Sequence, residues 1–383
     1  MTSEPNPPEP RSPRRSSAPR AAGLVALAMA VALLATTRVK LGGAWYGLFL
    51  LERASGRPLE LADDLKLGDG PRLIGGVGFA WLHDLVRPAS GQPRIDVDWD
   101  AETGGGVLTS HLGDGVILQT LFGRYVDDEG QTPRGLFVGG AIPEVAAVKT
   151  QNQSGMALRD ARGWHHVWCN VNEAMLDHAS GRMIYPGQWK FGGSRLLVDA
   201  PDRVVIQSEH ELDLGADHLR MERYAYFKAG RPFFRLGINI VNLGERSVKL
   251  SYAYGDEPWV GEFGSSAGNL GWTERGLVPV VAGIGTREEH WAGIVDTDSG
   301  IANFMSWAGA TPPDVVYFGN HPGTPRPEEV GAPLTSNEVF IGAEWRDRTI
   351  EPGETFGLRL VIGLAALRRD GAPTLPDGVL NPR

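Results

Sequence analysis

Cysteine is almost missing from this sequence, and the lack closes off several chemistries at once. Cys169 is the only cysteine in 383 residues, which leaves no intramolecular disulfide, no CxxC redox pair and no cysteine-based zinc knuckle. A phosphate-binding GxxxxGK[S/T] loop and a GxSxG nucleophile elbow are also missing; the run Gly104-Gly105-Gly106 has no following lysine and no helix pattern. Cationic excess is lacking too. The formal net charge of −9 speaks against a surface that tracks phosphates, so nucleic acid is not an expected partner. Long amphipathic helices are not to be found in the body, and 51 glycines with 27 prolines exclude an all-α fold. His165, His166 and Glu173 come nearest to a ligand set, but their spacing does not converge three donors, so no metal or other cofactor is expected.

What is present begins with a clear N-terminus. Residues 1–20 are rich in Pro, Ser and Arg, with Arg11, Arg14, Arg15 and Arg20 following the last acid, Glu9, and read as a disordered basic leader. Residues 21–37 are uncharged and apolar, and as a helix they reach roughly 25 Å, slightly short of the ~30 Å hydrocarbon core. That length fits a signal-peptide core or a short membrane anchor. Ala28-Met29-Ala30 lies too early in the run for cleavage and Ala35-Thr36-Thr37 is a poor site, which favours an uncleaved, single-pass signal anchor. With the basic leader kept inside, the body is expected outside the cytoplasm, although Arg38 and Lys40 dilute the bias.

Residues 38–91 read as a linker with short helical segments. Leu41–Leu51, with Trp45, Tyr46 and Phe49, is too short to span a bilayer, and a short helix over Leu73–Val86 is compatible with the pattern despite Gly75, Gly76 and Gly78. From Ile95 the period becomes two. Phe234, Leu236, Ile238 and Ile240 alternate with other residues, as do Val248, Leu250, Tyr252 and Tyr254 after the turn at Asn242–Glu245. Leu358, Leu360 and Ile362 repeat the pattern after Pro352-Gly353, and Val204-Val205-Ile206 opens another strand. Many strands with no intervening helices predict one antiparallel β-sandwich over residues 92–366, with 367–383 as a C-terminal tail.

The stretch Tyr224–Arg235 continuing through Asn239, Asn242 and Val248, and the Pro352-Gly353-Glu354 turn feeding a closing strand, resemble galactose-mutarotase-like domains. The resemblance implies an all-β, antiparallel β-supersandwich with a carbohydrate-facing concave sheet, preceded here by the N-terminal anchor helix. The family's catalytic His would fall at Tyr252-Ala253, which offers none, and its late general-base Glu has a counterpart in Glu344.

Two clusters carry the groups a saccharide site needs. Trp164–Glu173 holds His165, His166, Trp168 and Glu173, types that stack on a sugar's apolar face or move protons. Adjacent histidines on a strand point to opposite faces, so one at most faces a given cleft. Tyr254–Ser266 is a Gly-rich loop with Asp256, Glu257, Trp259 and Glu262, carboxylates suited to acid–base work or to Ca²⁺. The expected catalytic set is His165, Asp256 and Glu262, with His166, Trp168, Glu173, Trp189, Glu257 and Trp259 contacting substrate. The alternative is that Trp164, Val167, Trp168 and Cys169 are core and the acidic turn is simply solvated. Three function classes follow: a membrane-anchored carbohydrate-active protein of isomerase, lyase or hydrolase type, a saccharide-binding module, and a structural envelope protein.

Overall fold

The computed structural model describes residues 92–126, 133–136, 155–185, 188–215, 217–286, 289–335, 337–368 and 372–380, with three short backbone stretches before them. The chain divides into two compact units, Met1–Val77 and Gly78–Arg383. In the first, Val39–Leu41 pairs antiparallel with Ala44–Tyr46, which pairs in parallel with Pro71–Arg72. These strands fall within the segment expected to be a linker, where bulky Val39, Trp45 and Tyr46 favour extended backbone. The basic leader, the 21–37 anchor and the Leu73–Val86 helix lie outside the described residues. Among the described residues no helix is long and apolar enough to cross a membrane.

The described residues of the body are all-β, and every described pairing among them is antiparallel. A twelve-stranded sheet runs in the order Ala282–Gly285, Val315–Gly319, Phe340–Ile350, Val248–Glu257, Asn170–Asp177, Pro133–Leu136, Val116–Val126, Gly105–Gly113, Arg94–Asp100. Arg182–Ile184 adds to Asn170–Asp177, and the hairpin Met156–Asp160/Gly163–Trp168 adds to Val116–Val126. A nine-stranded sheet runs Lys190–Ala200, Arg203–Leu214, Asp217–Lys228, Phe233–Asn242, Thr355–Leu364, Ile301–Ser306, Trp291–Asp296, Asn269–Thr273, Gly276–Val278.

Period-two alternation puts one face of each sheet into a shared core. Phe234, Leu236, Ile238, Ile240, Val248, Leu250, Leu358, Leu360 and Ile362 all lie in it. Phe122 of the twelve-stranded sheet meets Phe227 and Phe234 of the other edge-on, at 5.5 and 5.9 Å between ring centroids. The two runs read as consecutive strands, 233–242 and 248–257, enter opposite sheets. Asn242 makes that corner: its Nδ2 donates to the carbonyls of Arg246 and Ile350 at 2.6 and 2.9 Å, and its Oδ1 accepts from Gly244 N–H at 2.9 Å. Fully buried, it meets three backbone groups that the crossing would otherwise strand.

One charge pair bridges the core. Arg223 of the nine-stranded sheet donates to Glu173 of the other, and Tyr252 OH donates to the same Glu173 oxygen at 2.6 Å. Burial opposes the Arg223 charge, but the adjacent carboxylate outweighs it and holds the guanidinium on; burial pushes the Tyr252 hydroxyl up. A second, smaller core forms around Phe233, Trp272, Trp291 and Phe304, and residue Val379 is buried in it. Among the residues expected to form a C-terminal tail, Leu375 and Val379 pack on this second core and supply apolar cover.

Truncating Ile238 to Ala should cost about 2–5 kcal/mol in denaturant melts. Glu173→Gln should cost about 3–5 kcal/mol by leaving a buried, unmatched guanidinium, and Glu173→Gln/Arg223→Met should recover part of that loss. A single variant no less stable than the parent would refute the buried pairing.

Candidate functional site

The two clusters expected to carry the site do meet, at one corner of the body. The loop after Val248–Glu257 folds onto the hairpin strand Gly163–Trp168, and His166 and Gly261 exchange backbone hydrogen bonds of 3.1 and 3.0 Å. Gly261 has φ +95°, and a Cβ there would collide with the Asp296 carboxylate, so only glycine lets the loop close. The His166 ring lies 5.2 Å from Phe263, which stands edge-on to Trp259 at 5.0 Å. Phe263 is 44% exposed. Trp259, half-buried, takes φ +44°, an uncommon setting for an aromatic residue, and its Nε1 has no hydrogen-bond partner among the described residues.

The histidines separate as strand geometry requires. His165 turns outward, with Nε2 3.1 Å from Asp160 Oδ1. Burial works against the Asp160 charge, yet hydrogen bonds from Arg162 and then His165 hold the carboxyl down to about 2. His166 is buried, and burial, then the His165 charge, depress it to about 4. At neutral pH it is an uncharged ring and a poor acid.

The remaining expected residues scatter. Trp168, inward-facing on its strand, and Trp189, in the bend before Lys190–Ala200, are both core side chains, and neither presents a face to a ligand. Glu173 is held in the buried pair with Arg223 and is closed to substrate. Glu257 is half-buried and Glu262 exposed, while the Asp256 side chain lies outside the described residues. The position opposite Ala253 across the ladder is Glu344. Glu344 is engaged by Thr324 N–H at 3.0 Å and by Arg346 at 2.8 Å. Nearby, the buried Tyr317 ring fills the space a Cβ on Gly342 would need, so the position beside Glu344 on this face is occupied by the protein itself.

The outer face of the nine-stranded sheet is different, and it was not singled out from the sequence. Cross-strand register builds one row, Arg195, Gln207, Tyr224, Gly237, Arg359, over five strands. A second row alongside runs Glu209, Glu222, Asn239, Gly357. Arg195 Nη2 donates to Gln207 Oε1 at 2.7 Å, Gln207 Nε2 to Tyr224 OH at 3.1 Å, and Tyr224 OH to Glu222 Oε2 at 2.8 Å. Arg220 closes the chain on Glu222 Oε1 at 3.0 Å. Burial, against the Tyr224 hydrogen bond, pushes the Glu222 carboxyl up, and burial then Glu222 push the Tyr224 hydroxyl up.

Gly237 is the floor of this face. A Cβ built on it would meet nothing nearer than the Tyr224 carbonyl oxygen at 4.0 Å, yet the position is buried, which describes a small recess walled by its neighbours. Tyr224 and Arg359 flank it along the row, and Glu222 and Asn239 stand in the next. The signal in the sequence was weak: Gln207, Glu209, Glu222 and Tyr224 fill alternate strand positions, as solvated side chains would. A separate surface cavity of about 550 Å³, lined by Arg275, Thr286, Thr311, Asp314 and Arg348 among others, has both arginines already engaged, by Glu289 at 2.8 Å and Asp314 at 2.7 Å.

No protein-family model matches the sequence, and no curated protein matches it. Among solved structures, the chain is similar to a galactose mutarotase-like protein from Clostridium acetobutylicum, with 8% identity over 71% of this chain and 98% of that one, TM-score 0.40. It is also similar to a galactose mutarotase related enzyme from Lactobacillus acidophilus, with 6% identity, 71% and 97% coverage and TM-score 0.35. An alpha-galactosidase from Geobacillus stearothermophilus matches at 9% identity over 72% of this chain and 42% of its own, TM-score 0.37. Likeness at this level assigns no residue role and no activity.

His166 takes up protons in the unfolded chain near pH 6.5 and in the folded protein only near pH 4. Between those values the unfolded state binds more protons, so stability present above pH 6.5 is lost as pH falls, by roughly 3 kcal/mol at full titration. His166→Gln should flatten the acid limb of a stability-versus-pH curve measured by urea melts. An unchanged limb would show that His166 is not buried as described.

Proposed function

We propose that the body is a saccharide-binding domain whose ligand sits over Gly237 on the outer face of the nine-stranded sheet. The observation that carries this is the recess itself: a side-chain-free floor between Tyr224, Glu222 and Asn239, on a face where polar groups are already held in one hydrogen-bonded row. A sugar ring offers hydroxyls that both donate and accept and a flat apolar side. Asn239, Gln207 and Glu222 match the first and the Tyr224 ring matches the second. Because the acceptors and donors are pre-tied to one another, little side-chain freedom is left to lose on binding.

Glu222 and Glu209 occupy directly paired positions on neighbouring strands, which supports a second reading in which the face also does chemistry of isomerase, lyase or hydrolase type. Glu222, pushed up by burial, is the group suited to give a proton, and Glu209 the one suited to take it. On this proposal the basic leader and the uncharged run 21–37 tether the domain to the membrane with the body outside the cytoplasm. Protease added to the outside of intact cells should then digest the body, and digestion only after lysis would sink the exported arrangement.

Gly237→Val fills the recess with a residue that strands tolerate well. On a glycan array the variant should lose binding while its melting temperature stays at or above the parent's. His165→Ala and Glu344→Gln, away from this face, should bind as the parent does. Retained binding by Gly237→Val would move the site elsewhere. Glu222→Gln should abolish turnover of a bound glycan with a modest affinity change if the face is catalytic, and should change affinity alone if it is not.

A further inference from the structure

On the twelve-stranded sheet, away from Gly237, a serine, a histidine, an aspartate and a lysine meet where Val248–Glu257 pairs with Phe340–Ile350. Leu250 pairs with Arg348 and Tyr252 with Trp345, so Arg346 and Asp347 together oppose the single residue Ser251. This is a β-bulge, a device that re-aims a side chain. Leu250 and Tyr252 face the core, which turns Ser251 to the outer face of the sheet. Asp347 takes φ +54°, the left-handed setting that bulges usually leave to glycine, and its backbone N–H donates to Ser251 Oγ at 3.1 Å.

The histidine arrives from the other side. His178 follows the strand Asn170–Asp177, which pairs with Val248–Glu257, and its backbone N–H is fixed on the Lys249 carbonyl at 3.0 Å. Its Nε2 lies 2.9 Å from Ser251 Oγ. With Asp347 donating to that oxygen, the Ser251 hydrogen is directed to the imidazole. Asp347 Oδ1 stands 3.7 Å from the same Nε2, where a carboxylate favours the imidazolium that forms when the proton is taken. Lys249 Nζ, 2.7 Å from that Oδ1, holds the carboxyl below its usual range and keeps it charged. Nucleophile, base, carboxylate and cation are recognised as a set by geometry and role, with no need of a sequence motif.

We propose that Ser251 and His178 form a nucleophile–base pair that cleaves short-chain O-acyl esters through an acyl-serine. The proposal goes beyond the saccharide reading and does not rest on it. Ser251 Oγ attacks the ester carbonyl carbon as its proton passes to His178 Nε2, and the carbonyl electrons move onto oxygen. Lys249 shares the face of Ser251, about 7 Å along the strand, and its ammonium faces the developing oxyanion. Collapse breaks the bond to the alcohol oxygen, which leaves with the proton from His178. Water then attacks the acyl-serine, His178 takes its proton and returns it to Ser251, and the acid is released. His178 and Asp347 are exposed, so the pair stands at the surface. A surface site gives a long acyl chain little to bury against, which selects acetyl-sized groups, and it admits an alcohol portion of any size.

The test starts with the full-length protein and a fluorophosphonate probe, followed by digestion and mass spectrometry. The adduct should sit on the peptide that carries Ser251. p-Nitrophenyl acetate should be hydrolysed, Ser251→Ala should abolish both label and hydrolysis, and His178→Gln should slow hydrolysis about a hundredfold or more. His290→Gln removes a surface histidine paired elsewhere with Glu274 and should leave the rate unchanged, which separates the pair from hydrolysis by exposed imidazoles. No adduct on Ser251 in the parent protein would overturn the proposal, whether or not the variants fold. Hydrolysis that survives Ser251→Ala would overturn it as well.

Discussion

The buried ion pair between Arg223 and Glu173 sets the terms for much of this protein. Arg223 sits between the two sheets, where its charge is tolerable only because Glu173 reaches it from the opposite sheet and Tyr252 supports the same oxygen. That requirement fixes the register of the strand Asp217–Lys228, since a slip of one residue would exchange its two faces. Slipped, the strand would drive Glu222 and Tyr224 into the core and strand Arg223 outside. In the observed register the flanking residues Glu222 and Tyr224 must point outward, and they become the centre of the hydrogen-bonded row beside Gly237. The core ion pair and the candidate binding face are two sides of one pleat.

The same logic separates what could be read in the sequence from what could not. Runs such as Phe234–Ile240 and Leu358–Ile362 announced strands with one buried face, because apolar spacing of two has no other economical explanation. Their division between sheets was not readable. Asn242 looked like an ordinary turn residue, and only its bonds to the carbonyls of Arg246 and Ile350 show that the chain changes sheets there.

Site residues fared less evenly. A cluster dense in tryptophan, histidine and acid attracts a functional reading, but Trp168, Trp189 and Glu173 owe their types to the core and to Arg223. His166 and the 259–263 loop came together through backbone pairing that no local pattern encodes. The nine-stranded face escaped notice for the opposite reason. Its residues come from strands far apart in sequence, Arg195 to Arg359, and each alone resembles the wet side of a strand.

The place of Thr355–Leu364 has a consequence for how the molecule comes into being. This strand, nearly the last in the chain, lies in the interior of the nine-stranded sheet between Phe233–Asn242 and Ile301–Ser306. Until it emerges, the sheet exists as two unconnected halves with open edges, and the pairings that join them must wait until every other strand of the sheet has been made. The two halves of the sheet are therefore joined in one step that follows all their other pairings. The row beneath any ligand closes in that step too, since Arg359 arrives on the strand that seals it.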